Sequence, residues 1–76
     1  IFPNPNNQST NLYFETSKEC AFSIEIIDLI GKCIKLKSVL PNINNNFDVS
    51  EMQSGVYFIR LFEEDKLIQT QKLVVQ

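Results

Sequence analysis

Apolar and polar residues alternate with a period of two along most of this chain. This spacing is typical of β-strands that bury one face and expose the other. The positions that share an apolar face within one segment are Thr10, Leu12 and Phe14; Phe22, Ile24 and Ile26; Ile34 and Leu36; Phe47 and Val49; and Tyr57, Ile59 and Leu61. The pattern therefore predicts a β-strand in each of these segments.

The segment 66–75 is predicted to be the last strand, but its pattern fits two registers. One register buries Ile68, Thr70 and Val74, and the other buries Leu67, Leu73 and Val75. A β-bulge inside the segment would switch from one register to the other. The sequence alone leaves this register open.

Turn-forming residues separate the predicted strands at short intervals. They occupy positions 16–19, 41–46 and 64–65, and the stretch 41–46 has the composition of a loop. Short strands with turn signals every 8–12 residues or so are typical of β-sandwiches. No segment is left to cover a sheet as an amphipathic helix. We therefore expect an all-β single domain over residues 1–76, with two small antiparallel sheets packed face to face.

Composition excludes several classes of function. The chain has 76 residues and a net charge of −2, without a basic patch that could follow a nucleic-acid backbone. No apolar stretch approaches the roughly 20 residues that span a bilayer. Histidine is absent, which removes the commonest general base and metal ligand. We expect neither an enzyme nor a cofactor or metal site.

The stretch DLIGK, residues 28–32, is predicted to be a hairpin turn. A two-residue loop would place Lys35 and its neighbours on the core face, which is costly. A three-residue loop over 29–31, with Gly31 in a left-handed conformation, avoids this. The pairs it predicts are Asp28 with Lys32, Ile26 with Ile34, Ile24 with Leu36, and Glu25 with Lys35 as an ion pair.

The same register places Cys33 on the outer face, opposite Ile27. Cys20 comes two residues before Phe22, so its side chain is predicted to point inward as that of Phe22 does. These positions are too far apart along the ladder for a disulfide, which needs Cα atoms within about 7 Å. We expect two free thiols. Cys20 is then a small core residue, and no neighbouring base or cation is placed to activate Cys33.

The segment 48–61 carries a second set of turn signals. Ser50 and Gln53 have the spacing of a capping box, which predicts a single helical or 3₁₀ turn that tucks Met52 inward and ends at Gly55. An acidic metal loop through Asp48 and its neighbours is disfavoured, because calcium loops need more oxygen ligands at closer spacing.

Four motifs occur in order along the chain: FPNP at 2–5, DLIGK at 28–32, DVSEMQSGVYFIRL at 48–61 and KLVVQ at 72–76. Together they resemble the type A C-terminal sorting domain of the bacterial type IX secretion system. Gln53 replaces a frequent proline of that pattern, and Cys33 replaces an aliphatic residue. The matching residues are Pro3, Asn4, Pro5, Asp28, Gly31, Lys32, Asp48, Ser50, Gly55 and Tyr57.

The resemblance implies an immunoglobulin-like antiparallel β-sandwich of about seven short strands. It implies a non-catalytic signal at the C-terminus of a secreted cargo protein, excised here from that longer chain. The partners implied are the type IX translocon, shuttle and sortase-like components. The route implied runs through the periplasm to the cell surface or the extracellular space. Cleavage of the signal often follows, with surface attachment or release of the cargo.

The final strand is the candidate recognition element, through Lys72, Leu73, Val74 and Val75. It could be recognised by β-strand addition or by side-chain pockets. Alternatively, Leu73 or Val75 simply closes the core. A second function compatible with the sequence is that of an accessory carbohydrate-binding or adhesion module. Its aromatic platform would be formed by Tyr13 and by Phe58 or Phe62. The identity of the cargo, its anchoring and the oligomeric state are not determined by the sequence.

Overall fold

The structure is a computed structural model that describes residues 4–5 and 9–75. Pro3 and Gln76 therefore lie outside the described residues. Within these ranges the chain forms strands and turns, without a helix. The strands are β1 (Asn4–Pro5), β2 (Ser9–Leu12), β3 (Phe22–Ile27), β4 (Cys33–Val39), β5 (Asn45–Asp48), β6 (Gly55–Glu63) and β7 (Lys66–Val75).

The strands form two sheets in which every pairing is antiparallel. One sheet has the order β1-β2-β5, and the other has the order β4-β3-β6-β7. The prediction of an all-β fold with two antiparallel sheets is confirmed. Among the strands of the described residues, β1 and β5 are at the edges of the first sheet, and β4 and β7 are at the edges of the second.

Buried side chains from both sheets form one hydrophobic cluster. Phe14 and Phe22 meet edge to face within it, with ring centroids 5.1 Å apart. Each fully buried aliphatic or aromatic side chain contributes roughly 1.5–3 kcal/mol. The residues predicted to face inward in the segments of β2, β3, β5 and β6 are all buried, including Phe14 and Val49, which follow β2 and β5. They are Thr10, Leu12, Phe14, Phe22, Ile24, Ile26, Phe47, Val49, Tyr57, Ile59 and Leu61.

The predicted pairing between β3 and β4 is correct at Ile27 and Cys33 but wrong from Ile26 onward. Cys33 lies opposite Ile27 as expected, but a bulge at Ile34 then places Lys35 opposite Ile26. Ile34 and Leu36 are consequently exposed, by 39% and 68%, and do not enter the core. A bulge is tolerated here because β4 is an edge strand with a neighbour on one side only.

The bulge turns two lysines of β4 toward the other sheet. Lys35 Nζ donates to the Asp48 carbonyl at 2.8 Å, and Lys37 Nζ donates to the Asn46 carbonyl at 3.1 Å. A lysine side chain can lay its aliphatic stem along apolar surface while its amino group reaches polar partners at the rim. These hydrogen bonds avoid the free-energy cost of turning lysine side chains inward without polar partners. The expected ion pair between Glu25 and Lys35 does not form, because Glu25 pairs with Arg60.

The register of β7 is settled by a bulge at Ile68. Leu61 lies opposite Gln69, and Phe62 lies opposite Leu67, so Ile68 is the extra residue. Leu73 and Val75 are buried after the bulge, whereas Leu67 and Ile68 are 44% and 43% exposed. Neither of the two predicted registers holds along the whole strand. The extra residue at the bulge shifts the alternation, so the residues that point inward before it and after it belong to different registers.

The predicted loop over 41–46 is shorter than expected. It turns at positions 41–43, and β5 already begins at Asn45. The Asn45 side chain holds this connection, since its amide donates to the Leu40 carbonyl at 2.8 Å and its oxygen accepts from the Leu40 N–H at 3.0 Å. Asparagine thus serves as a local hydrogen-bonding residue at the start of the strand.

Candidate functional site

The turn over residues 28–32 has the predicted three-residue loop. The Asp28 N–H donates to the Lys32 carbonyl at 3.0 Å, and the Gly31 N–H donates to the Asp28 carbonyl at 3.1 Å. The Asp28 carboxylate accepts from the N–H groups of Ile30 and Lys32, at 3.0 and 2.9 Å. Gly31 has a φ of +89°, a conformation that disfavours a Cβ. This turn displays Leu29 and Ile30, which are 70% and 88% exposed.

The corner between β5 and β6 is held by Asp48 and not by the predicted capping box. The Asp48 carboxylate accepts from the Ser50 N–H at 2.9 Å, and the Met52 N–H donates to the Val49 carbonyl at 3.0 Å. The second bond closes a single turn from Val49 to Met52 with the i to i+3 spacing of a 3₁₀ turn, but these residues do not continue into a regular helix. Met52 does pack against the core, as predicted.

Two further interactions stabilise this corner. The Tyr57 hydroxyl donates to the Gln53 carbonyl at 2.7 Å, which ties the end of the corner to the buried face of β6. Hydrogen bonds from the hydroxyl and N–H of Ser50 lower the pKa of Asp48 below its ordinary value, and the Lys35 charge acts in the same direction. The Asp48 carboxylate is thus held in its charged, hydrogen-bonded form.

The turn and the corner, distant in sequence, line one cleft of about 710 Å³. Lys35 of β4 also lines the cleft and donates to the Asp48 carbonyl at the start of the corner. The cleft combines apolar and charged side chains, including Asp28, Ile30 and Lys32 from the turn and Asp48, Met52 and Tyr57 from the corner. The sequence motifs suggested no such cleft, because it depends on how β4 lies against β5.

The candidate recognition strand divides into two kinds of residue. Leu73 and Val75 are buried to 0% and 3% exposure and form part of the core. Lys72 and Val74 alternate with them and are exposed. At the other end of the chain, Asn4 pairs with Asn11 and Pro5 with Thr10 at the edge of the smaller sheet.

The chemistry of the described residues offers no activated nucleophile among the cysteines. Both thiols are free. Burial and the nearby Glu63 carboxylate raise the pKa of Cys20, and desolvation and the Glu25 carboxylate raise the pKa of Cys33. Residues 4–5 and 9–75 contain no cluster of three or more potential metal-ligating side chains. A helix of the length and apolarity required to cross a membrane is likewise not found among them.

One polar pair on the outer face of the larger sheet was not predicted. Arg60 of β6 forms an ion pair with Glu25 of β3, and its guanidinium lies 5.7 Å from the centre of the Phe62 ring. Phe58 and Phe62 belong to β6, whereas Tyr13 follows β2 of the other sheet. No signal in the sequence could have found the pair, because the adjacency of β3 and β6 is not local.

The whole chain, residues 1–76, matches the family described as the secretion system C-terminal sorting domain. The chain belongs to this family, and the resemblance drawn from its motifs is confirmed. It is a C-terminal sorting signal for type IX secretion, which directs export to the cell surface or the extracellular space. Nothing favours the carbohydrate-binding alternative. No curated protein and no solved structure matches the chain.

Proposed function

We propose that this domain acts as a folded, non-catalytic sorting signal whose surface is recognised by the type IX machinery. The observation that carries the proposal is that residues of two family motifs, 28–32 and 48–57, line the same cleft. Their separation in sequence means that only the folded domain presents them together. Recognition then depends on the fold and not on a linear peptide.

The architecture proposed is an immunoglobulin-like β-sandwich of about seven strands. The two antiparallel sheets and their shared hydrophobic cluster support it. The domain follows a cargo domain at its N-terminal side. It passes through the periplasm, engages the translocon and shuttle components, and is removed by a sortase-like peptidase that leaves the cargo anchored or released.

The family residues divide into structural and surface roles. Asp28, Gly31, Asp48, Ser50 and Tyr57 hold the turn and the corner through the bonds described above. Gly55 begins β6 after the corner. Pro3, Asn4 and Pro5 restrict the backbone at the start of the chain and so set the direction of the first strand.

Three exposed side chains are left as candidates for direct contact: Lys32, Lys72 and Val74. Lys32 lines the cleft, whereas the other two lie on β7. Leu73 and Val75 act by closing the core, since both are buried.

The sorting role is tested by fusing residues 1–76 to the C-terminus of a fluorescent protein that carries an inner-membrane signal. The fusion is expressed in a host with a working type IX system and in the same host without its translocon. We expect surface or medium fluorescence only in the first. Retention in the periplasm of both hosts, or delivery in both, would contradict the proposed function.

The cleft is tested with two substitutions of exposed aliphatic residues. Ile30→Asp places a charge in the cleft, and Leu40→Asp places the same charge at a residue that is 62% exposed and does not line it. We expect Ile30→Asp to reduce delivery and Leu40→Asp to leave it near the unsubstituted level. Equal delivery of both variants would exclude the cleft as a contact surface.

A further inference from the structure

We infer that the cleft lined by the turn over 28–32 and the corner after β5 binds the same cleft of a second copy of this chain. The two copies are then related by a two-fold axis. The inference goes beyond the proposed function, which assigns this cleft to contact with the type IX machinery. It follows from a protruding aliphatic side chain, an apolar lining that can receive it and one free charge of each sign.

The protruding side chain is that of Ile30. It is 88% exposed and lines the cleft. Its turn is fixed by the hydrogen bonds that the Asp28 carboxylate accepts from the N–H groups of Ile30 and Lys32. A side chain presented by a preorganised loop loses little conformational freedom when a partner covers it. Burial of an aliphatic side chain this exposed is favourable, because it removes apolar surface from water.

The cleft offers an apolar surface to such a side chain. Ile34 lines it and is 39% exposed, because the bulge in β4 keeps this residue out of the core. Met52 lines it from the corner and is half-buried against the core. The hydroxyl of Tyr57, a third lining residue, is engaged by its bond to the Gln53 carbonyl. The cleft volume of about 710 Å³ leaves room for an aliphatic side chain from outside.

Five charged residues line the cleft: Asp28, Lys32, Lys35, Asp48 and Glu51. Three of them are engaged within the chain. The two aspartates accept from main-chain N–H groups, and Lys35 donates to the Asp48 carbonyl. Lys32 and Glu51 are exposed and form no salt bridge with the described residues. One cation and one carboxylate are therefore free in the lining.

A two-fold axis brings these two charges together. In such an interface the same patch meets itself, so every contact between two different residues is made twice. Lys32 lies on the turn and Glu51 on the corner, so they occupy different parts of the lining. Lys32 of each copy then pairs with Glu51 of the other, while Ile30 of each enters the apolar lining. A purely acidic or purely basic partner would leave one of these charges unmatched.

The size of the cleft indicates a weak dimer. It is lined by 11 of the described residues, whereas stable interfaces have roughly 20–30 on each side. We expect a dissociation constant on the order of 10⁻⁴–10⁻³ M. A dimer this weak is dissociated at micromolar concentration and yields the cleft to a tighter partner. It is therefore compatible with contact between the cleft and the type IX machinery.

Charge reversal tests the two pairs between copies. Lys32→Glu or Glu51→Lys alone places like charges opposite each other at both symmetric contacts. The double variant exchanges the two charges and restores opposite signs. Lys66→Glu and Glu19→Lys are matched controls for net charge, since both residues are exposed and neither lines the cleft. Urea unfolding of each variant shows whether it is folded.

Sedimentation equilibrium of the chain of residues 1–76 measures the association up to a concentration of about 1 mM. We expect each single reversal in the cleft to raise the dissociation constant roughly tenfold. The double variant and both controls should stay within about threefold of the unsubstituted chain. Amide NMR shifts followed on dilution should change in residues 29–35 and 50–53 and so locate the contact.

A mixture of the two single variants gives the sharpest test. A copy with Lys32→Glu presents two carboxylates, and a copy with Glu51→Lys presents two cations. Their heterodimer has opposite charges at both contacts, as the unsubstituted dimer does. We expect the equimolar mixture to associate about as tightly as the unsubstituted chain, although neither variant does so alone. Unfolding or contacts within one copy cannot produce this result.

Several results would overturn the inference. An unsubstituted chain that is monomeric at about 1 mM would show that the clefts do not pair. Undiminished association of Lys32→Glu, or a mixture that stays monomeric, would place the contact elsewhere. A monomeric chain whose Lys32→Glu variant is poorly delivered in the fluorescent fusion would assign this charge to a machinery protein. Periplasmic retention of the unsubstituted fusion would instead contradict the proposed function, whatever the sedimentation result.

Discussion

Arg60 on β6 and Glu25 on β3 lie directly opposite each other and form an ion pair on the outer face of the four-stranded sheet. The Arg60 Nε donates to the Glu25 carboxylate at 2.9 Å. This hydrogen bond lowers the pKa of Glu25 below its ordinary value. The pair joins the two halves of the sheet, since its strands are separated in sequence by β4 and β5.

The first prediction concerns the pH dependence of this pair. Because the folded-state pKa of Glu25 is lowered, its stabilisation is present above the unfolded-state pKa and is lost as pH falls through the folded-state value. We expect Glu25→Gln to lower the free energy of unfolding by about 0.5–1 kcal/mol at pH 7, with a smaller difference in acid. Urea unfolding across this pH range measures it. A difference between the two proteins that does not change with pH would contradict the prediction.

The second prediction concerns the turn over 28–32. A Cβ at Gly31 meets nothing within 4 Å, so its cost arises only from the φ of +89°. We expect Gly31→Ala to reduce stability by about 1 kcal/mol. Thermal or urea unfolding of the variant measures this effect. A variant as stable as the unsubstituted protein would show that the turn adopts a different backbone conformation.

The third prediction concerns the carboxylate that holds the same turn. Asp28→Ala removes the acceptor of two N–H groups and should cost about 1–2 kcal/mol. Asp28→Asn is the matched control, because its side-chain oxygen can still accept these bonds. We expect the asparagine variant to lie between alanine and aspartate in urea unfolding. Equal stabilities for alanine and asparagine would contradict this role of the side chain.

The fourth prediction concerns the lysines that join β4 to β5. The double substitution Lys35→Met and Lys37→Met keeps the aliphatic stems and removes both bonds to carbonyls of β5. We expect a loss of about 1–2 kcal/mol in unfolding free energy and concentration-dependent association through the freed edges. Urea unfolding and sedimentation measure these effects. Lys66→Met, at the exposed start of β7, is a control for lost charge. A double variant that stays monomeric and equally stable would show that the lysines do not close this side.

The fifth prediction concerns Asp48. Because Ser50 lowers its pKa, we expect a carboxyl titration by NMR to place this pKa below the ordinary aspartate value of 3.8. Ser50→Ala should raise it, since the hydroxyl no longer donates. The stabilisation from this charge is present at neutral pH and is lost as pH falls through the folded-state value. An unchanged titration in Ser50→Ala would show that the hydroxyl contributes nothing.

Much of the fold could be predicted because its signals are local. The alternation of Tyr57, Ile59 and Leu61 marks the buried face of β6, since successive side chains of a strand point to opposite sides. Gly31 and Asp28 specify their turn through a φ preference and hydrogen bonds within five residues. The order of the four motifs was enough to indicate the family that the chain belongs to.

The features that the sequence left open depend on neighbours that are distant in the chain. The bulge at Ile34 became favourable only because β4 is an edge strand and β5 offers carbonyls to Lys35 and Lys37. Glu25 forms its ion pair with Arg60 because Arg60 of β6 lies opposite it, whereas no cation of β4 does. The bulge at Ile68 depended in the same way on pairing with β6.

The sequence by itself determined which residues of β2, β3 and β6 are buried and where the turn at Gly31 falls, because strand alternation and backbone preference act over a few residues. Only the tertiary structure decided the partners of the charged residues, the cleft shared by two motifs and the bulges in β4 and β7. These depend on which strands become neighbours, and strand pairing is set by burial and hydrogen bonding over the whole chain.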